Sequence, residues 1–308
     1  MEKSWDLAII GGGPAGLAAA LYASRAGVKT VIFESLAIGG QAALSPLVVN
    51  YPGITAASGL EITADIQKQC ESFGTEFVYK HVSNIDLIDK NKVLYLEDGE
   101  KVQVSAVIIC TGSKARKLGL NEEDKFIGRG ISYCATCDGN FFKNKDVVIV
   151  GGGNTAVTDA IYLQSLANKV YIVYRGEKLR ATSAICNKLS EYKNLEVIYN
   201  SVIKSLYGDR KIEKVQIENL KTKAHSEIIC DGVFVAIGYE PENKLFFQSI
   251  NMDDDGYIIV DECGRTNIDG VFAAGDVTNG KLKQIVTATA SGAIAGEYAS
   301  KYIMEKEK

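Results

Sequence analysis

The run Cys134-Ala135-Thr136-Cys137-Asp138-Gly139 places two thiols two residues apart, with a carboxyl group directly after the second. Such a pair closes into a small disulfide ring and reopens to a dithiol. One thiolate attacks and one thiol leaves, and local charge tunes both. Asp138 stands where it can hold or pass the proton that this exchange moves. In a reducing compartment a lone Cys-x-x-Cys near a βαβ pattern reads as a redox motif. Two further readings stand beside it. A structural zinc site needs four ligands, usually two such pairs or one pair with histidines. Here there is one pair and two histidines, His81 and His225, without metal-ligand spacing. An inert pair of buried thiols is the blander possibility. What the pair exchanges electrons with depends on the elements around it.

Those elements come from 308 residues, enough for two domains of ordinary size. Hydrophobic residues make up 46% and charged residues 23%, so core material is plentiful. A net charge of −4 argues against nucleic acid, which binds a basic stripe. The N-terminal residues run straight into a strand, so no signal peptide is expected. No apolar run reaches the length of a membrane span. Seven cysteines, five of them scattered singly, do not make a secreted disulfide framework. Cys70, Cys110, Cys186, Cys230 and Cys263 read as small buried apolar residues, and a cytoplasmic protein without membrane contact is expected.

Residues 7–10 read as a short buried strand, followed by Gly11-Gly12-Gly13-Pro14-Ala15-Gly16, an apolar helix over 17–26 and a second strand over 29–33. This is a dinucleotide-binding fingerprint in its required context. Gly11 permits the tight turn, Gly13 lets backbone approach a pyrophosphate, and Gly16 lets the helix pack closely on the strand. The helix N-terminus then faces the phosphates. Glu34 follows Gly16 by 18 residues, where an acid accepts from ribose hydroxyls. The plainer reading is a glycine turn used for packing alone.

The pattern returns. Residues 146–175 align with residues 6–35 at a constant offset of 140, with nine identities in thirty positions including Gly11, Gly12 and Gly13. The chain therefore holds two dinucleotide folds. Gly151, Gly153 and Ala156 take the three glycine roles of the second. The offset sets Tyr174 against Glu34, so the ribose acid is lost, and Arg175 and Arg180 follow. Losing a carboxylate and gaining cations suits a 2′-phosphate, as in NADP. The plainer reading is that both arginines are solvated surface residues.

Between and after the repeats, Gly39-Gly40-Gln41 and Asn50-Tyr51-Pro52-Gly53 read as irregular loops. Residues 59–74 predict a helix with Ile62, Ile66, Cys70 and Phe73 on one stripe. Residues 93–104 predict a hairpin around Asp98-Gly99, and 107–109 a buried strand ending in Cys110-Thr111-Gly112. Residues 114–118 read as a linker. A second hairpin follows over 214–230, then a closing strand over 233–238 and a return linker from Tyr239. The tail has a buried strand in 270–276 ending in Gly275-Asp276, and a helix over 283–299. Asp276 either meets a ligand at the strand end or caps a turn.

Taken in order, GGGPAG with its distal glutamate, GGQ, NYPG, CATCDG, GGGNTA and VFAAGDV resemble the low-molecular-weight thioredoxin reductases of bacterial and archaeal type. The resemblance covers essentially the whole chain. It implies an α/β protein of two Rossmann-like, three-layer FAD- and NAD(P)-binding domains, the second inserted in the first. Residues 1–114 with 243–308 would form the FAD domain, and 115–242 the NAD(P) domain that carries the dithiol. By position, Gly11, Gly13, Pro14, Ala15, Gly16, Glu34, Gly40, Gln41, Asn50, Val82, Thr111, Gly112, Gly275, Asp276, Gln284 and Ile285 would hold FAD. Gly153, Asn154, Thr155, Arg175 and Arg180 would hold NADPH. Cys134 and Cys137 would be the redox pair and Asp138 the general acid. The larger disulfide reductases use a C-terminal His-Glu pair as acid, and no histidine follows His225. The implied partner is thioredoxin or a thioredoxin-like protein, and the implied assembly a homodimer.

The second turn departs from the family. The usual His-Arg-Arg-x-x-x-Arg reads Tyr174-Arg175-Gly176-Glu177-Lys178-Leu179-Arg180, and the usual Asp-Ser reads Asn154-Thr155. One missing charge-assisted contact would weaken a 2′-phosphate site by about 1.5–3 kcal/mol. NADPH is favoured over NADH, or over a non-pyridine donor such as ferredoxin or a deazaflavin. The same fold could also serve an NAD(P)H oxidase, a ferredoxin–NADP reductase, or a redox sensor without turnover. The first two lack the paired cysteines.

Overall fold

Both halves of the repeat fold as strand, glycine turn, helix and strand. The computed structural model describes residues 4–45, 47–87 and 92–306. In the first half, Leu7–Ile10 and Thr30–Phe33 are wholly buried and pair in parallel. The helix Pro14–Arg25 starts with proline in its first turn, where the missing N–H costs nothing. It ends where Gly27 N–H reaches Ser24 O and Val28 N–H reaches Ala23 O, with Gly27 at φ +86°. That is a Schellman stop, which needs the left-handed conformation glycine supplies.

The chain divides into two compact units, Met1–Lys114 with Glu240–Lys308, and Ala115–Tyr239. In the first, five parallel strands run in the order Val271–Ala273, Ala106–Ile109, Leu7–Ile10, Thr30–Phe33, Glu76–Val78. One face is covered by the helices Pro14–Arg25, Gly59–Ser72 and Ile285–Lys306, packed through Leu17, Cys70 and Ala295 among others. The other face carries an antiparallel sheet of Val82–Asp86, Lys92–Leu96 and Lys101–Val104, joined to it through Phe33, Leu94 and Val107. The result is three layers. Helix Gly59–Ser72 begins with a capping box, in which Ser58 and Glu61 satisfy each other's backbone N–H groups.

The second unit repeats the plan. Its parallel order is Leu195–Ile198, Lys169–Val173, Asp146–Val150, Gly232–Val235, Ile131–Ser132. Helix Asn154–Leu163 covers one face, and the antiparallel strands Ser201–Tyr207, Lys214–Asn219 and His225–Ile229 cover the other. Among the described residues, no helix is long and apolar enough to cross a membrane.

Several local expectations are corrected. Both predicted hairpins gain a third strand, Val82–Asp86 and Ser201–Tyr207. Each is interrupted by a register shift, which blurs its alternation, and the first is mostly solvent-facing. Residues 88–91, before Lys92, lie outside the described residues. Phe73 does not complete the buried stripe. It follows the helix end, 50% exposed, with its ring 5.9 Å from the Arg25 guanidinium. Gly40–Ala43 is a single helical turn instead of a loop. The last helix is Ile285–Lys306, so Lys283 and Gln284 precede it and the helix outruns its predicted end.

Candidate active site and nucleotide turns

Cys134 and Cys137 are joined as a disulfide across one short helical turn, Ala135–Asp138. The turn follows Ile131–Ser132, the edge strand of the second unit's sheet. Cys134 caps it, its sulfur accepting from Cys137 N–H at 3.2 Å. The Thr136 hydroxyl lies 3.4 Å from the same sulfur. Asp138 Oδ2 accepts from the Ser132 hydroxyl at 2.6 Å, and Ser132 Oγ in turn accepts from Cys134 N–H at 3.1 Å. Tyr133, just before the pair, donates its hydroxyl to the buried Glu123 at 2.7 Å, and its carbonyl accepts from the Tyr239 hydroxyl at 2.9 Å. Glu123 also accepts from Leu118 and Gly119 N–H, so this buried carboxylate is fully engaged. Burial pushes the Tyr133 phenol well above its ordinary value, with the Glu123 carboxylate adding to it.

Three of the remaining cysteines are unsuited to exchange. Burial pushes the Cys70 and Cys230 thiols up to about 12, and Cys110 higher still. Thiols held that far up carry almost no thiolate near neutrality. Cys186 is half-buried. Among the described residues, no group of three or more His, Cys, Asp or Glu is arranged to hold a metal.

The first glycine turn sits at the end of Leu7–Ile10. Gly11 has φ +106°, and a Cβ there would lie 2.4 Å from Cys110 O. A Cβ on Gly16 would lie 1.9 Å from Gly11 O, so strand and helix approach as closely as backbone allows. Gly13, by contrast, opens onto free space. The helix behind it has no side-chain cap and no acid in its first turn, so its leading N–H groups are left for an anion. Glu34 lies beside this turn, accepting from Gly12 N–H at 2.8 Å and Leu36 N–H at 2.9 Å. Further acceptor sites remain on its carboxylate. Gly40 approaches Gly13, with an added Cβ 3.2 Å from the Gly13 Cα. The exposed Gln41 lies in the same short helix. Gly275 packs on Ala15 and donates its N–H to Ser291 Oγ at 2.9 Å. Asp276 follows, half-buried, and desolvation pushes its carboxyl up while Lys283 opposes the shift. Asn50 donates to Gln284 Oε1 at 3.0 Å, which joins two candidates 234 positions apart. The Thr111 hydroxyl donates to Glu242 O at 2.6 Å, and Gly112 O accepts Glu242 N–H. Ile285 opens the last helix. Val82 is apart from these in one respect: its side chain is buried in the core beneath the sheet. A turn stripped of Cβ atoms, a bare helix N-terminus and a carboxylate beside it are the donors and acceptors that a dinucleotide pyrophosphate and ribose require, and so FAD fits.

The second turn is built alike and finished differently. Gly153 is open and precedes the uncapped helix Asn154–Leu163. Asn154 Oδ1 accepts from Thr182 N–H at 2.9 Å, and Thr155 is exposed. Where the first turn has Glu34, the Tyr174 ring lies between Gly152 and Gly176. A Cβ would meet that ring at 2.4 Å from Gly152 and at 2.7 Å from Gly176. Glycine at 176 thus makes room for the tyrosine, at the position of the missing arginine. Arg175 and Arg180 are both exposed. Glu177 is paired with Lys221 at 2.5 Å, which offsets its repulsion of an incoming phosphate. The open turn and two flanking cations fit a phosphorylated nucleotide.

Ser132, Glu123, Tyr133, Tyr239, Ser291 and Lys283 were not legible as site residues. Ser132 stands two positions before Cys134, and nothing in its type distinguishes it from any loop serine. Lys283 donates to Asp276 O and Thr278 O and lies 4.1 Å from the Tyr257 ring, all of which is tertiary.

Comparison with known proteins bears on the whole arrangement. A family model described as pyridine nucleotide-disulphide oxidoreductase matches residues 5–292. The chain is 42% identical to a thioredoxin reductase of Peptoclostridium litorale, covering 99% of each. It is also similar to the crystal structure of thioredoxin reductase from Streptococcus pyogenes, at TM-score 0.88 and 39% identity over 99% of this chain and 100% of that one. A ferredoxin-flavin thioredoxin reductase from Clostridium acetobutylicum is 32% identical at TM-score 0.53, over 98% and 99%.

Proposed function

We propose, from the premise that this chain belongs to the pyridine nucleotide-disulphide oxidoreductase family, that it is a thioredoxin-disulfide reductase using FAD and NADPH. The Cys134–Cys137 disulfide carries the reading, set in a unit that has its own glycine turn. FAD, held at the first glycine turn, would supply the relay of an electron pair from NADPH to the disulfide. The residues then divide the work. The first glycine turn takes the pyrophosphate of FAD, and Glu34 its ribose. Asn154, Thr155, Arg175 and Arg180 flank the turn that takes NADPH. Cys134 and Cys137 open to a dithiol, one attacks the partner's disulfide, and the other resolves the mixed disulfide. Asp138 exchanges the proton. The partner is thioredoxin or a thioredoxin-like protein, and the working form is a cytoplasmic homodimer, whose dimeric state light scattering of the purified protein tests.

Anaerobic titration of the FAD-loaded protein with NADPH and with NADH, followed by added thioredoxin, tests this directly. NADPH should bleach the flavin at lower concentration than NADH, and thioredoxin should then be reduced. A flavin bleached by either nucleotide with thioredoxin left oxidised would refute the reductase reading. A second reading is favoured by Tyr174 and Gly176 at the nucleotide turn and by the likeness to the Clostridium acetobutylicum enzyme. In that case reduced ferredoxin bleaches the flavin and neither nucleotide does.

A further inference from the structure

We propose that Ser132 is a positioning residue for the dithiol chemistry, its hydroxyl holding Asp138 in both of that residue's protonation states. The inference rests on the reading of Cys134, Cys137 and Asp138 given above. Ser132 is 4% exposed and ends the strand Ile131–Ser132, with Phe234 as its parallel partner in the Gly232–Val235 strand. Its Oγ has three polar neighbours: Asp138 Oδ2 at 2.6 Å, Cys134 N at 3.1 Å and Cys134 O at 3.3 Å.

A serine hydroxyl has one hydrogen and two lone pairs. It cannot donate to Asp138 and to Cys134 O together. With Asp138 ionised, the hydrogen points at Oδ2 in a short charge-assisted bond. With Asp138 protonated, the acid donates to Oγ, and the serine hydrogen turns to Cys134 O. Cys134 N–H donates to Oγ in either state. Every polar group therefore has a partner before and after proton transfer, and only a hydroxyl rotates. An unpartnered member in either state would cost about 1–3 kcal/mol.

Protons and electrons balance over the cycle. Two electrons entering the Cys134–Cys137 bond break it and leave two thiolates. One thiolate takes the Asp138 proton, which leaves a carboxylate, and the other sulfur remains a thiolate. In the onward exchange one thiolate forms a bond to the partner's disulfide, whose own bond breaks and releases a partner thiolate. The remaining thiol loses its proton to Asp138 and attacks the mixed disulfide. That step closes Cys134–Cys137 and releases the second partner thiolate, and the two partner thiolates take their protons from solvent. Asp138 thus changes charge twice per cycle, and Ser132 follows it.

The segment of Asp138 carries the titratable groups Tyr133, Cys134 and Cys137, and the helix Asn154–Leu163, packed against the turn Ala135–Asp138, carries Asp159 and Tyr162. Gly139–Phe142 and Gly232–Val235 add none. The test compares Ser132→Ala, Asp138→Asn and the double variant as FAD-loaded enzymes, with Asp159→Asn as a control. Two quantities are read: the pH profile of thioredoxin reduction, and the pH dependence of iodoacetamide alkylation in the pre-reduced protein. Ser132→Ala should slow turnover by about ten- to a hundredfold, the worth of one hydrogen bond to a charged group. It should also move the limb of the profile that Asp138→Asn abolishes to higher pH, because the carboxylate loses a donor. In the double variant Ser132→Ala should add nothing, since it acts through Asp138. If Asp138→Asn leaves rate and profile unchanged, the assignment of the acid fails, and this inference with it. If Asp138→Asn is slow while Ser132→Ala leaves the profile unmoved, or still slows the Asp138→Asn enzyme, Ser132 is merely structural and the inference alone is overturned.

Discussion

A single sulfur separates the two halves of the reaction. Cys137→Ser should retain FAD and be bleached by NADPH, yet fail to reduce thioredoxin, as stopped-flow absorbance and an insulin-coupled assay would read. Full thioredoxin activity would remove Cys137 from the exchange. A second residue carries a pH signature. Burial raises the Asp159 carboxyl to about 6. A folded value above the unfolded one means that the folded state binds the proton more tightly. Stability from this group is therefore complete below the ordinary aspartate range and lost as pH rises through about 6. Asp159→Asn should flatten the fall in stability between about pH 4 and 6, worth on the order of 1–3 kcal/mol by urea melts across that window. An unchanged slope would show that Asp159 is solvated. Chemistry that depends on residue type alone was legible at this scale. The Cys-x-x-Cys pair and its flanking acid announce themselves. Ser132 and Glu123 act only through neighbours that folding brings within hydrogen-bond reach, and type alone does not distinguish them.

Among elements, the glycine turns show how one motif serves two ends. Gly13 has φ −76° and ψ −176°, which any residue adopts, and a Cβ there meets nothing within 4 Å. Gly13→Ala should leave the melting temperature of the FAD-free protein unchanged while weakening FAD affinity, read by fluorescence titration, because the methyl projects where the pyrophosphate approaches. Undiminished FAD affinity would show that no ligand comes near. Gly292 is the structural counterpart. A Cβ there would lie 2.1 Å from Ala15 O, and one on Gly296 2.3 Å from Ala19 O, so the last helix lies directly on the first. Gly292→Val should destabilise the protein by several kcal/mol, about the cost of forcing apart a packed pair, with FAD binding lost through the displaced first helix. A variant as stable as the parent would mean that the helices part freely. Hydrophobic period and glycine spacing made both parallel sheets and their helices legible. The third strand of each antiparallel sheet was hidden, because a register shift and a solvent-facing side erase the alternation that marks a strand.

At the scale of the whole molecule, the second unit has its own two-sided core and closes on itself where Arg116 N–H meets Gly238 O at 3.0 Å. An insert whose ends meet interrupts its host only at one point. Residues 115–239 expressed alone should therefore fold cooperatively, bind no FAD and still close the Cys134–Cys137 bond, as calorimetry and thiol titration would read. A molten product would mean that the insert depends on its host for order.

The repeat, the two glycine turns, the redox pair and the order of motifs are properties of residue type and spacing, and the amino-acid sequence alone established them. With them came the family and the flavin-dependent chemistry. Tertiary structure decided the rest. It set the Tyr174 ring between two glycines where the first turn has an acid, and it bonded Asn50 to Gln284. It also put the Ser132 hydroxyl between Cys134 and Asp138. The physical reason is one of range. Backbone conformation and helix or strand period are written within a few residues, whereas a hydrogen bond between side chains depends on ångström-scale placement that only the packed core supplies.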